Sequence, residues 1–166
     1  MKVLFRTITI LAAAVAFSSC TGVPQKADSA GRIPAVSPDY AGVTIPSNIA
    51  PLTFTYSEGG DRYVTVFSSA GKTVTVKGKD RAVPSARQWK ELTGASDKIE
   101  VVAYMRKDGR WSRFEPFSIY IAEPIDRYLS YRLIPPNFEN FEHLSLAIRD
   151  LTSYDEREFY DNTLLR

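Results

Sequence analysis

Few side chains in this 166-residue chain could carry out catalysis. His143 is the only histidine, so a nucleophile–His–acid triad would need it, with Ser145 or Ser153 as the nucleophile. Neither serine has the flanking glycines of a nucleophile elbow. His143 also stands beside Leu144 at the start of a predicted strand, which is typical of a surface or turn residue. The sequence therefore predicts no catalytic residue and no enzyme.

Metal and phosphate sites are equally poorly supported. One histidine and one cysteine cannot build a zinc site, and the acids lack EF-hand spacing. Glu139 and Glu142 could share a face of a helical turn, and Asp155, Glu156 and Glu158 cluster near the C-terminus. A glycosidase needs two carboxylates held across a cleft, but a solvated acidic run is the simpler interpretation. "SEGGD" lacks the Lys-Ser/Thr of a phosphate loop. We predict no metal and no cofactor.

The only cysteine, Cys20, ends an apolar N-terminal run. Lys2 and Arg6 precede Ile8 to Phe17, a stretch of signal-peptide length that is too short to span a bilayer as a helix. "FSSC" resembles the lipobox of bacterial lipoproteins, in which the cysteine takes a diacylglyceryl group and becomes the first residue after cleavage. The sequence predicts a signal peptide over residues 1–19 and lipidation of Cys20 with acyl chains such as palmitate.

A signal peptide and a lipidated cysteine predict a location in the cell envelope. Phe17 stands where a lipobox more often has Leu, Val or Ala, so an ordinary secretory signal with a chance cysteine is the alternative. Thr21 follows Cys20 in place of the Asp that often signals inner-membrane retention. We therefore expect an outer-membrane lipoprotein, held to the membrane by its lipid anchor.

Net charge argues against nucleic acid as a partner. Removing residues 1–19 removes two basic residues and no acids, so the 21 Lys and Arg fall to 19, against 19 Asp and Glu. Lys72, Lys77, Lys79 and Arg81 follow one predicted strand and its exit. A nucleic-acid surface would use such residues, but lysines commonly protect an edge strand from pairing, and we favour that interpretation.

Residues 20–50 are rich in Pro, Ser, Ala and Gly. That composition predicts a flexible tether between the lipidated cysteine and the domain. Four apolar residues in its second half could lie against the domain edge: Tyr40, Val43, Ile45 and Ile49.

Residues 51–124 carry the alternation of half-buried strands. "PLTFTYSE", "RYVTVFSS" and "KTVTVKG" predict a three-stranded meander, because Gly-containing turns separate them. "PSARQWKELTG" predicts a short helix with a capping box from Ser85 to Gln88. Asp108-Gly109 predicts a tight hairpin, and Pro116 interrupts its return arm before 117–121 resumes as a strand. We therefore predict a mainly β fold, an immunoglobulin- or fibronectin-like β-sandwich with one short helix.

Residues 125–166 form a C-terminal extension with one predicted strand. Leu144, Leu146 and Ile148 alternate, and the strand from Leu144 to Leu151 could offer an edge to a partner. The acidic, aromatic tail after it shows no closing element.

Four aromatic residues suggest a ligand surface. Trp111, Phe114, Tyr120 and Tyr128 could form an exposed platform on which a glycan stacks. The alternative, which we favour, is that Trp89, Trp111 and the phenylalanines fill the core of the sandwich.

Several stretches together resemble the N-terminal region of a family of Gram-negative lipoproteins, the TolB-like propeller proteins with PD40-type repeats. They are "VTIPSNIAPLTF", "WKELTG", "YMRKDGRWSRFEPFSIYI", "IDRYLSYRLIPPNFENF" and "LAIRDLTSYDEREFYDN", and they cover about Val43 to Asn162. The resemblance implies a sandwich-like region that leads into a Cys-x-x-Cys-His segment and a β-propeller. Neither occurs in this sequence, so no haem attachment is carried over, and truncation of a longer protein is favoured over a natural short form.

These observations leave three functional hypotheses. The first is a lipid-anchored, non-catalytic interaction or scaffolding module that binds another envelope protein. The second is a carbohydrate-binding module of an outer-membrane uptake system. The third is an N-terminal fragment of a longer propeller protein, with no independent function.

Overall fold

The computed structural model describes residues 22–133 and 144–161. The predictions for the signal peptide, Cys20, Glu139, Glu142 and His143 lie outside these residues. In chain order the described elements are β1 Asp28–Ser29, β2 Val36–Ser37, β3 Thr44–Pro46, β4 Phe54–Tyr56, β5 Arg62–Ser69, β6 Lys72–Gly78, β7 Arg81–Ala82, α1 Ala86–Thr93, β8 Lys98–Lys107, β9 Arg110–Arg113, β10 Phe117–Ala122, β11 Tyr128–Leu133, β12 Ser145–Asp150 and β13 Glu156–Asp161.

The largest sheet is built around β5, β6 and β8, which pair antiparallel in the order β6-β5-β8. Beyond β8, two strands share one edge: β9 pairs with its C-terminal half and β10 with its N-terminal half. The break between them contains Pro116, which has no N–H to donate to a ladder. The predicted hairpin and interruption are confirmed. The predicted three-stranded meander is wrong at its first strand, because β4 pairs with β2 and β7 in a separate sheet and only β5 and β6 are neighbours.

A second layer covers the inner face of this sheet. It consists of the short sheet β2-β4-β7 and the helix α1. Alternation along β4 turns Phe54 and Tyr56 into the core and leaves Thr55 exposed. Phe67 from β5 meets Trp89 from α1 edge to face, with ring centroids 6.3 Å apart. The predicted mainly β sandwich with one short helix is confirmed.

The helix α1 begins and ends where its sequence predicts. Gln88 N–H donates to Ser85 Oγ (3.3 Å) and Ser85 N–H donates to Gln88 Oε1 (3.0 Å), which completes the capping box. Trp89 and Leu92, three residues apart, bury the same face against the sheet. Gly94 forms the C-cap.

The predicted flexible tether is wrong for residues 28–50. In that span β1 pairs in parallel with β9, and β3 pairs in parallel with β10. Ile45 and Ala50 are buried in the domain, and Tyr40, Val43 and Ile49 pack against the core, as expected. The physical reason is that β9 and β10 would otherwise leave backbone donors and acceptors unpaired, and these short segments satisfy them.

The C-terminal extension contains more structure than the single predicted strand. Within the described residues, β11, β12 and β13 form an antiparallel sheet in sequence order. A β-bulge between Leu146 and Ala147 shifts the register of β12 against β13. This three-stranded unit, residues 128–133, 145–150 and 156–161, is called the C-terminal sheet below.

Candidate interaction surface

The C-terminal sheet is fastened to the sandwich through the segment that follows β3. Asn48 Nδ2 donates to the Ile125 carbonyl (2.7 Å), and Ile125 N–H donates to Asn48 Oδ1 (3.1 Å). Ala50 N–H donates to the Leu151 carbonyl (2.8 Å). These bonds hold both ends of the C-terminal sheet's first hairpin beside the sandwich, next to a groove of about 450 Å³ along α1.

The central position of β12 corrects the predicted edge strand. All six residues of β12 pair with β11, and five of them pair with β13. The segment from Leu144 to Leu151 therefore offers no free edge, because β11 and β13 are the outer strands. Within β12, Ser145 and Ala147 are the buried residues, whereas Leu146 and Ile148 are half-buried.

Large apolar side chains lie exposed on this sheet. Tyr128 and Phe159 are 55% exposed and Leu129 is 48% exposed. Because neighbouring residues of a strand point to opposite faces, Tyr128 and Leu129 present apolar surface on both sides. In β5, by contrast, Tyr63, Val64 and Phe67 are buried. The C-terminal sheet is thus the part of the described chain with the most exposed apolar surface in one unit.

A carboxylate on this sheet is held by two partners. Both Nε (2.9 Å) and Nη2 (2.6 Å) of Arg127 donate to Asp150 Oδ2, while the N–H and hydroxyl of Thr152 donate to Oδ1. The guanidinium of Arg127 holds the pKa of Asp150 well below its ordinary value, and the bonds from Thr152 add to that effect. Asp150 is therefore ionised, and its oxygens are occupied. It has the role of a structural ion-pair partner.

A second ion pair crosses the sheet from β12 to β13. The hydroxyl of Tyr131 and the guanidinium of Arg149 both donate to Glu156 Oε2. The hydrogen bond from Tyr131, followed by that from Arg149, lowers the pKa of Glu156. The predicted acidic run is therefore divided: Glu158 is exposed, whereas Glu156 joins two strands.

The four predicted glycan-platform residues are not brought together. Phe114 is 1% exposed and packs in the core under the guanidinium of Arg32, so its assignment to an exposed platform is wrong. Trp111 is half-buried on β9, Tyr120 is exposed on β10, and Tyr128 lies on the C-terminal sheet.

The separation of the two sandwich aromatics can be worked out from the register. Trp111 pairs with Arg106, and Tyr120 pairs with Lys98, eight residues earlier on β8. At about 3.3 Å per residue they lie roughly 26 Å apart on the same face. The core interpretation is confirmed for Trp89, which is buried. It is wrong for Trp111, which is half-buried on the outer face, and for Phe159, which is exposed.

Sequence reasoning missed Asn48, Arg127 and Leu129, which position or form this surface. One signal was present: Leu129, Tyr131 and Leu133 alternate with polar residues, which is the pattern of a strand. No local signal pointed to Asn48, because its partner Ile125 is 77 residues away.

No known family model matches the chain, and no curated protein is significantly similar to it. Residues 22–133 and 144–161 contain no helix with the length and apolarity needed to cross a membrane. They also hold no cluster of three or more His, Cys, Asp and Glu side chains that could bind a metal ion.

Proposed function

We propose that this protein is a lipid-anchored, non-catalytic interaction module of the cell envelope, and that the C-terminal sheet is the surface that binds its partner. The observation that carries the proposal is the exposure of Tyr128, Leu129 and Phe159, three large apolar side chains on one small sheet. Apolar surface exposed in this way is typical of interaction sites.

Strand order and chemistry support the same choice. Sequential antiparallel strands are the arrangement of a propeller blade, which has four, so the C-terminal sheet has the order of a blade with one strand fewer. This accords with the resemblance to TolB-like propeller lipoproteins, in which a propeller would be the partner of this sheet. The paired states of Asp150 and Glu156 favour a structural role for the acids of this sheet.

Site-specific photo-crosslinking tests the protein-binding part of the proposal. A photo-reactive residue replaces Leu129 or, separately, Phe159 in the full chain, expressed in its own cell envelope. Val83 is the matched control, because it is an apolar residue 51% exposed on the sandwich. We expect both test positions to crosslink to one and the same protein and Val83 to give no such product. Crosslinking no greater than that of Val83 at both positions would refute the proposed surface.

The anchor and the absence of catalysis have their own tests. Metabolic labelling with a fatty acid should label the wild type and not Cys20→Ser, while Ser18→Ala should retain the label. Unlabelled wild-type protein would contradict lipidation at Cys20. Saturable hydrolase turnover that a single carboxylate substitution abolishes would contradict the non-catalytic assignment.

A further inference from the structure

The N-terminal segment crosses the outer face of the large sheet, the face turned away from α1. A Cβ built on Gly22 would lie 2.6 Å from Cε of Lys77, so the backbone of Gly22 packs directly on that side chain on β6. Six residues later Asp28 pairs with Ser112 on β9, across the sheet. Val64, which faces outward between these strands, is only 2% exposed. The segment 22–27 is thus laid on the sheet and is not a free tether.

This placement fixes the distance between Cys20 and the domain. Gly22 is two positions after Cys20, and an extended chain spans at most about 3.6 Å per residue, so the two Cα atoms lie within roughly 7 Å. An acyl group on Cys20 would therefore hold the outer face near Lys77 close to the bilayer surface.

The surface at that point is basic and aromatic. Two neighbouring rows of paired residues cross it: Lys77, Val64, Tyr104 and Arg113 in one, and Arg62, Arg106 and Trp111 in the other. Lys and Arg are attracted to anionic lipid surfaces, and Trp and Tyr favour the level of the headgroups.

The charge balance at this end of the sheet is positive. Exposed cations occupy the start of β5, the end of β6 and the β8–β9 hairpin: Arg62, Lys77, Lys79, Arg106, Lys107 and Arg110. Against these six stand three nearby carboxylates, Asp28, Asp61 and Asp108, which leaves a surplus of three. Within residues 22–133 and 144–161 none of the six forms an ion pair, whereas Asp80 and Glu58 are paired with Arg81 and Arg32.

We infer that this basic end, defined by Arg62, Lys77, Lys79, Arg106 and Trp111, docks on the phosphate headgroups of the membrane that anchors Cys20. The inference rests on the proposed anchor and adds an orientation to it: the domain lies against the bilayer by one end of the large sheet. The lysines first interpreted as protection of an edge strand acquire a second role, because Lys77 projects from the outer face beside Gly22.

The full-length lipidated protein in phosphatidylcholine vesicles, with or without phosphatidylglycerol, tests this inference. The signal is quenching of tryptophan emission by lipids that carry a spin label on the headgroup. Trp89 is buried on the far side of the sheet, so Trp111 should supply the quenched part. We expect stronger quenching in the vesicles that contain phosphatidylglycerol than in those that lack it. This difference between the two lipids should disappear at high salt and should be absent in Trp111→Phe.

Charge reversal separates docking from anchoring. Arg62→Glu combined with Lys77→Glu should remove at least half of the quenching. Arg87→Glu combined with Lys90→Glu makes the same charge change on α1, at the opposite face, and should leave quenching unchanged. Circular dichroism of each variant checks that it is folded.

Each outcome decides between the two proposals. Protein that carries the acyl mass on Cys20 and remains with the vesicles, but shows equal quenching in both lipids, would refute docking and leave the anchor intact. Equal loss in both charge-reversal variants would also refute docking at this end. Protein that lacks the acyl mass would refute the anchor, and this orientation with it.

Discussion

Replacement of Tyr56 by Phe tests how the two layers of the sandwich are held in register. Tyr56 on β4 and Thr65 on β5 belong to opposite layers, and their hydroxyl oxygens lie 2.6 Å apart across the core. Tyr56 also stacks on Tyr63, with ring centroids 4.0 Å apart and planes at 4°. Tyr56→Phe keeps the ring and its stacking partner and removes only the oxygen.

The expected loss follows from what remains in the core. Thr65 is fully buried, so Tyr56→Phe leaves its hydroxyl without its partner and should lower the free energy of unfolding by about 1–3 kcal/mol. Thr65→Val should cost a similar amount, because it leaves the Tyr56 hydroxyl unpaired. The double variant removes both groups and should cost much less than the sum of the two single losses.

Urea unfolding of the four proteins, followed by circular dichroism, measures this cycle. The midpoints should shift while the slope with urea stays constant, because the buried area hardly changes. Single losses below about 0.3 kcal/mol, or losses that simply add, would refute the assignment of a buried hydrogen bond between the layers.

The same tyrosine predicts a dependence on alkaline pH. Burial raises the pKa of Tyr56 above its ordinary value of 10.0. Tyr56 therefore ionises at lower pH in the unfolded chain than in the folded protein. Its contribution to the free energy of unfolding is fully present below pH 10 and is lost as the pH rises beyond it. Tyr56→Phe should make this fall shallower. An unchanged alkaline slope would show that Tyr56 ionises as freely in the folded protein as in the unfolded chain.

Three further predictions concern other parts of the domain. The hydrogen bond from Arg32 lowers the pKa of Glu58, so the pair stabilises the fold at pH values above the ordinary pKa of 4.5 and loses this contribution as the pH falls. Glu58→Gln should therefore make the loss of stability at acid pH, followed by fluorescence, less steep. An unchanged pH profile would contradict this. The buried Ser69 hydroxyl has no partner within residues 22–133 and 144–161, so Ser69→Ala should raise the free energy of urea unfolding by about 1 kcal/mol; a loss of that size would show a missed partner. Asn48→Ala removes two bonds to Ile125 and should speed hydrogen exchange in the C-terminal sheet more than in β5; equal changes would refute local fastening.

The sandwich could be predicted from sequence because the signals for its strands and turns lie within each short segment. The predicted segments "RYVTVFSS" and "KTVTVKG" coincide with β5 and β6, since alternation set the faces and Ala70-Gly71 set the turn. At the next hairpin Asp108 and Gly109 adopt positive φ values of 49° and 78°, as that dipeptide predicts. The helix followed from Ser85 and Gln88 in the same way.

The missed strands depend on partners that are distant in sequence. A two-residue strand such as β1 has no periodicity, and it forms because Ser112 and Arg113 present an edge 84 residues away. In the C-terminal sheet, β13 has one extra residue, Phe159, opposite the step from Leu146 to Ala147, and this irregularity breaks the alternation that would have revealed β13. The platform prediction failed at Phe114 for a related reason: its type suits both a core and a surface, and only tertiary packing decides between them.

The two proposed surfaces lie at opposite ends of the large sheet. The basic end includes Arg106, near the C-terminal end of β8. The segment that holds the C-terminal sheet follows Pro46, which pairs with Ala122 on β10. Ala122 lies beyond Tyr120, the partner of Lys98 at the N-terminal end of β8. Arg106 lies eight positions after Lys98 on β8, about 26 Å at 3.3 Å per residue.

Docking by the basic end would therefore turn Tyr128 and Leu129 away from the bilayer, where an envelope protein can reach them. Insertion of the same apolar residues into lipid would instead need the opposite orientation. Headgroup quenching of Trp111 together with protein crosslinking at Leu129 is thus a combination that only this orientation explains.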